Sequence, residues 1–198
     1  MRSRSLRVAV WGCVTLAANV WGFPLHAAEK PTQIRMSGKQ PHVGEQAFVE
    51  FHARSGPVVF GHSFIVYGRL NADGKIIAVE VAGLYTNEEN YLVGAIIPLP
   101  AAVGRAKDDL TAVSEIIYRR NLTAAEFFKL KVGVNRVRAI QHSWHLLFFN
   151  CNDFAGDMAE LIGLRRPPSL MLPITYVSLL SALNGRQMAS HIDRRQAE

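Results

Sequence analysis

The sequence predicts one α+β domain, a mostly antiparallel sheet with flanking helices. Three observations predict it. "VVFGHSFIVYGRL" and "KIIAVEVAGLY" are β-rich runs on either side of "NADG", an Asp-Gly turn signal, and so form a hairpin. "TAAEFFKL" carries Thr123 and Glu126 at the spacing of a capping box and opens a helix. "FFNCNDFAGDMAELIGL", residues 148–164, passes at Asn150-Cys151-Asn152 from an apolar run to the helical spacing of Phe154, Met158 and Leu161.

The elements follow in chain order. Arg2, Arg4 and Arg7 precede an uncharged apolar stretch from Val8 to Phe23 and then "PLHAAEK", which reads as a secretory signal peptide over 1–28, cleaved near Ala27 or Ala28. The 16 apolar residues fall short of the ~20 that span a bilayer, which weighs against an uncleaved anchor. Residues 29–57 form a weakly patterned lead-in with a short strand near "QAFVEFHA". After the hairpin, "GAIIPLP" reads as a strand ended by Pro98 and Pro100, and "SEIIYRRNL" as another. The capped helix runs towards about Gln141. "SWHLLFFN" is an apolar strand leading to the Cys151 helix, which Gly163 and "RRPP" stop. "ITYVSLLSAL" is a last helix. The main domain is bounded at 58–185, and 186–198 is a basic, solvated tail.

Composition narrows the function. The chain has 22 basic and 16 acidic residues; without the three leader arginines the balance is 19 against 16, too mild for a nucleic-acid partner. After leader cleavage no run is long enough for a membrane span. The expected location is secreted or periplasmic. Cys13 leaves with the leader, so Cys151 stands alone in a compartment that normally pairs cysteines. A reactive thiol and a small buried hydrophobe are the two readings of such a residue.

Its position favours the first. A helix N-terminus has unsatisfied N–H groups and a positive dipole end, which lower a thiol pKa and can hold an oxyanion. A cysteine nucleophile also needs a base, usually histidine. Of seven histidines, His26 leaves with the leader, His191 is in the tail, His42 and His52 lie in or near the lead-in, and His142 and His145 precede the strand to Cys151 or lie on it. At strand rise His145 is roughly 20 Å along the chain from Cys151, too far unless the strand folds back. His62 begins a strong strand in a neutral, apolar setting and is the best candidate. Cys151 alone, with no matching histidine spacing, makes no metal-ligand set, and no cofactor is implied.

Gly61-His62-Ser63-Phe64, then much later Asn150-Cys151-Asn152-Asp153-Phe154, resembles the circularly permuted NlpC-like families of the papain fold. These include relatives of lecithin retinol acyltransferase and the PPPDE peptidases. The resemblance spans about residues 58–165 and departs at Trp144-His145, where such families often carry Tyr-Asn. It implies a permuted papain-like core and a thiol hydrolase or acyltransferase, with His62 as base and Cys151 as nucleophile.

Hairpin arithmetic bears on a third group. A two-residue Asp73-Gly74 turn sets His62 opposite Tyr85, and a four-residue Asn71–Gly74 loop sets it opposite Gly83. In both cases Glu80 points to the other face, so Tyr85 is the better orienting candidate. Asn150 and Asn152 either position a substrate carbonyl or cap the helix, with capping weighted higher. The expected function is an exported cysteine hydrolase acting on an amide, such as a cell-wall peptide, or an ester. The rival is a catalytically idle papain-like domain that binds an envelope ligand or partner.

Overall fold

The computed structural model describes residues 46–55, 61–86, 92–104, 106, 109–111 and 113–185. Six strands form one antiparallel sheet: β1 (Gln46–Arg54), β2 (His62–Leu70), β3 (Ile76–Thr86), β4 (Leu99–Gly104), β5 (Ile116–Leu122) and β6 (His142–Trp144), in the order β5-β1-β2-β3-β4-β6. Three helices accompany them among the described residues: α1 (Ala124–Arg138), α2 (Cys151–Leu161) and α3 (Pro173–Asn184). The α+β class and the mostly antiparallel sheet are as the sequence predicts. No helix of the described residues is long and apolar enough to cross a membrane. The leader, residues 29–45 and the tail lie outside the described residues.

Strand alternation gives the sheet two unlike faces. Val49, Phe51, Ile65, Tyr67, Ala82 and Leu84 point to one side and join the core with Phe154, Met158, Tyr176 and Leu180 of the helices. Phe64, Val66 and Val81 point to the other and pack with Leu110 from the β4–β5 connection. The first face carries α2 against β2 and β3; the second carries an unusual share of polar groups.

The β2–β3 body has the register expected of a two-residue turn, with Tyr67 opposite Glu80 and Ile65 opposite Ala82. Its loop is longer. Asn71 Oδ1 accepts from the Asp73 and Lys75 N–H groups, Gly74 takes φ 79°, and a bulge between Arg69 and Leu70 restores the register. Beyond Ala82, β3 pairs with β4 instead, while His62–Phe64 pair with β1. The two strands therefore part at their His62 and Tyr85 ends.

Three expectations need correction. β1 lies second in the sheet and is almost wholly buried, so the folded unit starts before residue 58. "GAIIPLP" is not one strand: Val93–Ala95 form a 3-10 turn, and β4 begins only at Leu99. Pro100 is tolerated near the start of β4, where only β6 pairs beside it. Lastly, "SWHLLFFN" is a strand only through Trp144. His145 and Phe149 bond to each other (N···O 2.9 and 3.1 Å) around a turn, so the chain doubles back before Cys151.

Candidate functional site

The start of α2 is fixed by its cap. Asn150 is extended, and its side-chain oxygen accepts from the N–H groups of Asn152 (2.8 Å) and Asp153 (3.3 Å). Asp153 returns the bond to the Asn150 N–H at 2.9 Å, completing a capping box. Asn150 Nδ2 also donates to the Leu146 carbonyl, tying the cap to the preceding turn. Capping is what the Asn150 side-chain oxygen does, as its residue type favours. Asn150→Ala is expected to cost about 1–2 kcal/mol, read as a lower urea midpoint.

Asn152 is equally committed. Its Nδ2 donates to the carbonyls of Ser169 (2.9 Å) and Met171 (2.8 Å), and its Oδ1 accepts from Ser63 Oγ at 2.8 Å. Its side chain does not cap the helix; it joins α2, β2 and the 169–171 loop.

Cys151 is buried, 8% exposed, with its sulfur beside the hydroxyl and N–H of Ser63 and the N–H groups of Cys151 and Asn152. The Ser63 N–H is available because β2 has no β3 partner there; that ladder begins at Ile65. Burial pushes the thiol pKa up, and the donors from Ser63 and the helix start oppose this without reversing it. The lowered pKa expected from helix position is therefore not found: desolvation of the charged form outweighs the helix N-terminus.

His62 opens β2 behind Gly61. At φ 72°, with the Arg54 carbonyl 2.7 Å from where a Cβ would stand, that position requires glycine. The imidazole stacks on Phe64 (centroids 5.8 Å) and leans on Tyr85 (4.6 Å), both on the sheet face away from α2. Thus Cys151 reaches the parted strands from the helix side and His62 flanks them from the other. The sulfur lies at the peptide that joins His62 to Ser63.

Tyr85 does meet His62, but through its ring. Its hydroxyl donates to Asp109, which also accepts from Arg54 Nη2 (3.1 Å) and the Ala106 N–H (2.6 Å). Burial first, then the Asp109 carboxylate, raise the Tyr85 pKa, so the phenol stays neutral. Glu80 lies on the opposite face, bonded by the Tyr67 hydroxyl at 2.8 Å, as the register arithmetic requires.

Sequence reasoning missed several groups. Ser63 was visible inside the quoted motif, and alternation alone would have turned it towards the helices. Asp109, from "AKDDLTAVS", has no pattern to announce it. His52 is fully buried between Glu50 (2.9 Å) and Ser114 (2.8 Å), with Arg119 against Glu50 at 3.5 Å. His145 is nearer Cys151 than strand rise implied. Its Nδ1 accepts from the Leu147 N–H at 3.1 Å, which leaves a neutral ring no lone pair on the other nitrogen and argues against it as base. Among the described residues no group of three or more His, Cys, Asp or Glu could hold a metal ion.

Apolar side chains rim the start of α2. The 146–148 turn exposes Leu147 and Phe148 (77%), and the loop held by Asn152 exposes Leu170 and Leu172. The Leu146 N–H donates to the Gly94 carbonyl, and Ile96 (81% exposed) and Ile97, two and three residues after Gly94, are exposed as well. No family model matches the chain, and no curated protein or solved structure matches it either.

Proposed function

We propose that the chain is an exported cysteine hydrolase of the permuted papain-like, NlpC-like kind, with Cys151 as nucleophile and His62 as base. The observation that carries this reading is the sulfur at the first turn of α2, lying at the His62–Ser63 peptide where β2 and β3 part. The imidazole takes the thiol proton, and the sulfur attacks the carbonyl carbon of an amide or ester. The Cys151 and Ser63 N–H groups hold the oxyanion, the leaving group departs with the proton, and water releases the acyl group. Tyr85 sets the ring by packing.

The apolar rim favours substrates whose acyl part is apolar, whether peptide or lipid-like. Among ester and amide probes of graded acyl length, kcat/KM is expected to rise with apolar area. Phe148→Asp is expected to raise KM roughly tenfold with little change in kcat. A flat response to acyl length, with KM unmoved by Phe148→Asp, contradicts this substrate class.

A second reading, a catalytically idle papain-like domain that binds an envelope ligand, is favoured by one observation: the thiol is buried, and burial pushes its pKa up rather than down. It expects no turnover of any acyl probe by wild type.

A further inference from the structure

We propose that the groove between α1 and α2 binds a free single-chain amphiphilic anion, of the long-chain carboxylate class, away from Cys151. The groove holds about 640 Å³, inside the span of roughly 300–1,000 Å³ usual for small-ligand sites. Phe128, Val132, Gly133 and Val137 of α1 line it with Met158 and Leu161 of α2, so its wall is mostly apolar. Gly133 keeps it open: a Cβ there would stand 2.2 Å from Leu161 Cδ1. Phe128 (62% exposed), Val132 and Leu161 stay in contact with water, which leaves apolar area for a ligand to cover.

Charge selects the ligand. Lys129 and Arg136 also line the groove, seven residues apart and so on one line of α1, roughly 10 Å along it. Neither side chain has an ion pair or hydrogen bond among the described residues, unlike Lys131 and Arg138 of the same helix, which both meet Glu80. The acids of the α2 wall, Asp157 and Glu160, already have a cation: Arg166 Nη1 lies 2.5 Å from the first and 3.8 Å from the second.

An apolar wall with two unpaired cations, and no carboxylate without a cation beside it, fits a ligand with one negative head and an apolar chain. A cationic amphiphile meets like charge, and a neutral chain leaves both cations unused. An anionic bilayer fits less well, because the exposed Asp157 and Glu160 would face the same surface charge. Met158 and Leu161 lie seven and ten residues past Cys151, roughly 10–15 Å along α2, so the site does not depend on that residue's chemistry.

The test is calorimetric titration of the full chain at pH 8 with sodium dodecanoate, kept below its micelle concentration, and with dodecyltrimethylammonium as the opposite charge. Dodecanoate is expected to bind at one site, roughly threefold more weakly for each methylene removed, and the cation is expected not to bind. Lys129→Glu combined with Arg136→Glu is expected to weaken dodecanoate roughly tenfold, the effect of losing a hydrogen bond to a charged group. Val132→Asp is expected to abolish binding, and Phe148→Asp, at the rim beside Cys151, to leave it unchanged. Phe128→Asp replaces Val132→Asp if the latter lowers the urea midpoint.

The opposite pattern, binding lost in Phe148→Asp and kept in Val132→Asp, puts the chain at the rim and overturns the groove. Equal binding of both charges, or no effect of the double reversal, shows apolar contact without charge selection and overturns the ligand class. So does a folded wild type that ignores dodecanoate, including one that sediments with phosphatidylglycerol vesicles through Val132.

Discussion

Cys151→Ala is expected to remove hydrolysis of apolar acyl esters, with kcat falling on the order of 10^4-fold or more and the fold kept. A covalent mechanism loses its acyl-enzyme with the sulfur, so no part of the two-step route survives. The structural cost is small, about 1 kcal/mol, because the site loses one atom at the end of a well-capped helix. His62→Ala is expected to lower kcat by roughly 10^2- to 10^4-fold, the usual span for a general base, with KM little changed. The pH dependence has a definite sign. The thiol pKa is raised by burial, so in the resting protein the thiolate fraction grows as pH rises, past the ordinary thiol range. Alkylation of resting Cys151 is accordingly slow at neutral pH and quickens with alkali. A fast reaction at neutral pH contradicts the neutral-thiol assignment.

The largest effect on stability is expected from Asp109→Ala. Asp109 is fully buried and accepts from the Arg54 guanidinium, the Tyr85 hydroxyl and the Ala106 N–H. Removing one partner of a buried ion pair typically costs about 3–5 kcal/mol, because the other charge stays desolvated. The Tyr85 hydroxyl also loses its acceptor, and the Tyr85 ring is what His62 leans on. Asp109→Ala should therefore lower the urea midpoint strongly and depress kcat as well. Asp109→Asn keeps an oxygen acceptor and should lie between. Equal midpoints for wild type and Asp109→Ala would show that the cluster carries no stability.

The legible and illegible parts of the fold separate by physical cause. The β2–β3 hairpin could be read because alternation and an Asp-Gly turn are local, and the register then follows by arithmetic. The start of α2 could be read because Asn150, Asp153 and the apolar spacing all lie within four turns of chain. The turn after His145 could not. Leu146-Leu147-Phe148-Phe149 is a continuous apolar run, and periodicity does not separate a strand from a turn that tertiary bonds hold. The place of β1 in the sheet was also hidden, since it depends on pairing with β5, some 70 residues on.

The site shows the same division. The meeting of His62 with Tyr85 followed from register. The direction of the Cys151 shift did not, because a helix N-terminus is visible in sequence and burial is not. Asn150 as cap followed from residue type; Asn152 as a tie between helix, strand and loop required two carbonyls from residues 169 and 171. Asp109 and the His52 cluster sit where loops cross the sheet, a juxtaposition that no local pattern encodes.

The most direct test of Cys151 as nucleophile is acyl capture. The full chain is mixed with the nitrophenyl ester of a medium-chain fatty acid, quenched in acid and mapped by peptide mass spectrometry. The expected result is one acyl group on the peptide that contains Cys151, formed early and turned over in wild type, and absent from Cys151→Ala. No acyl group on Cys151, or acylation confined to another residue such as Ser114, would contradict it.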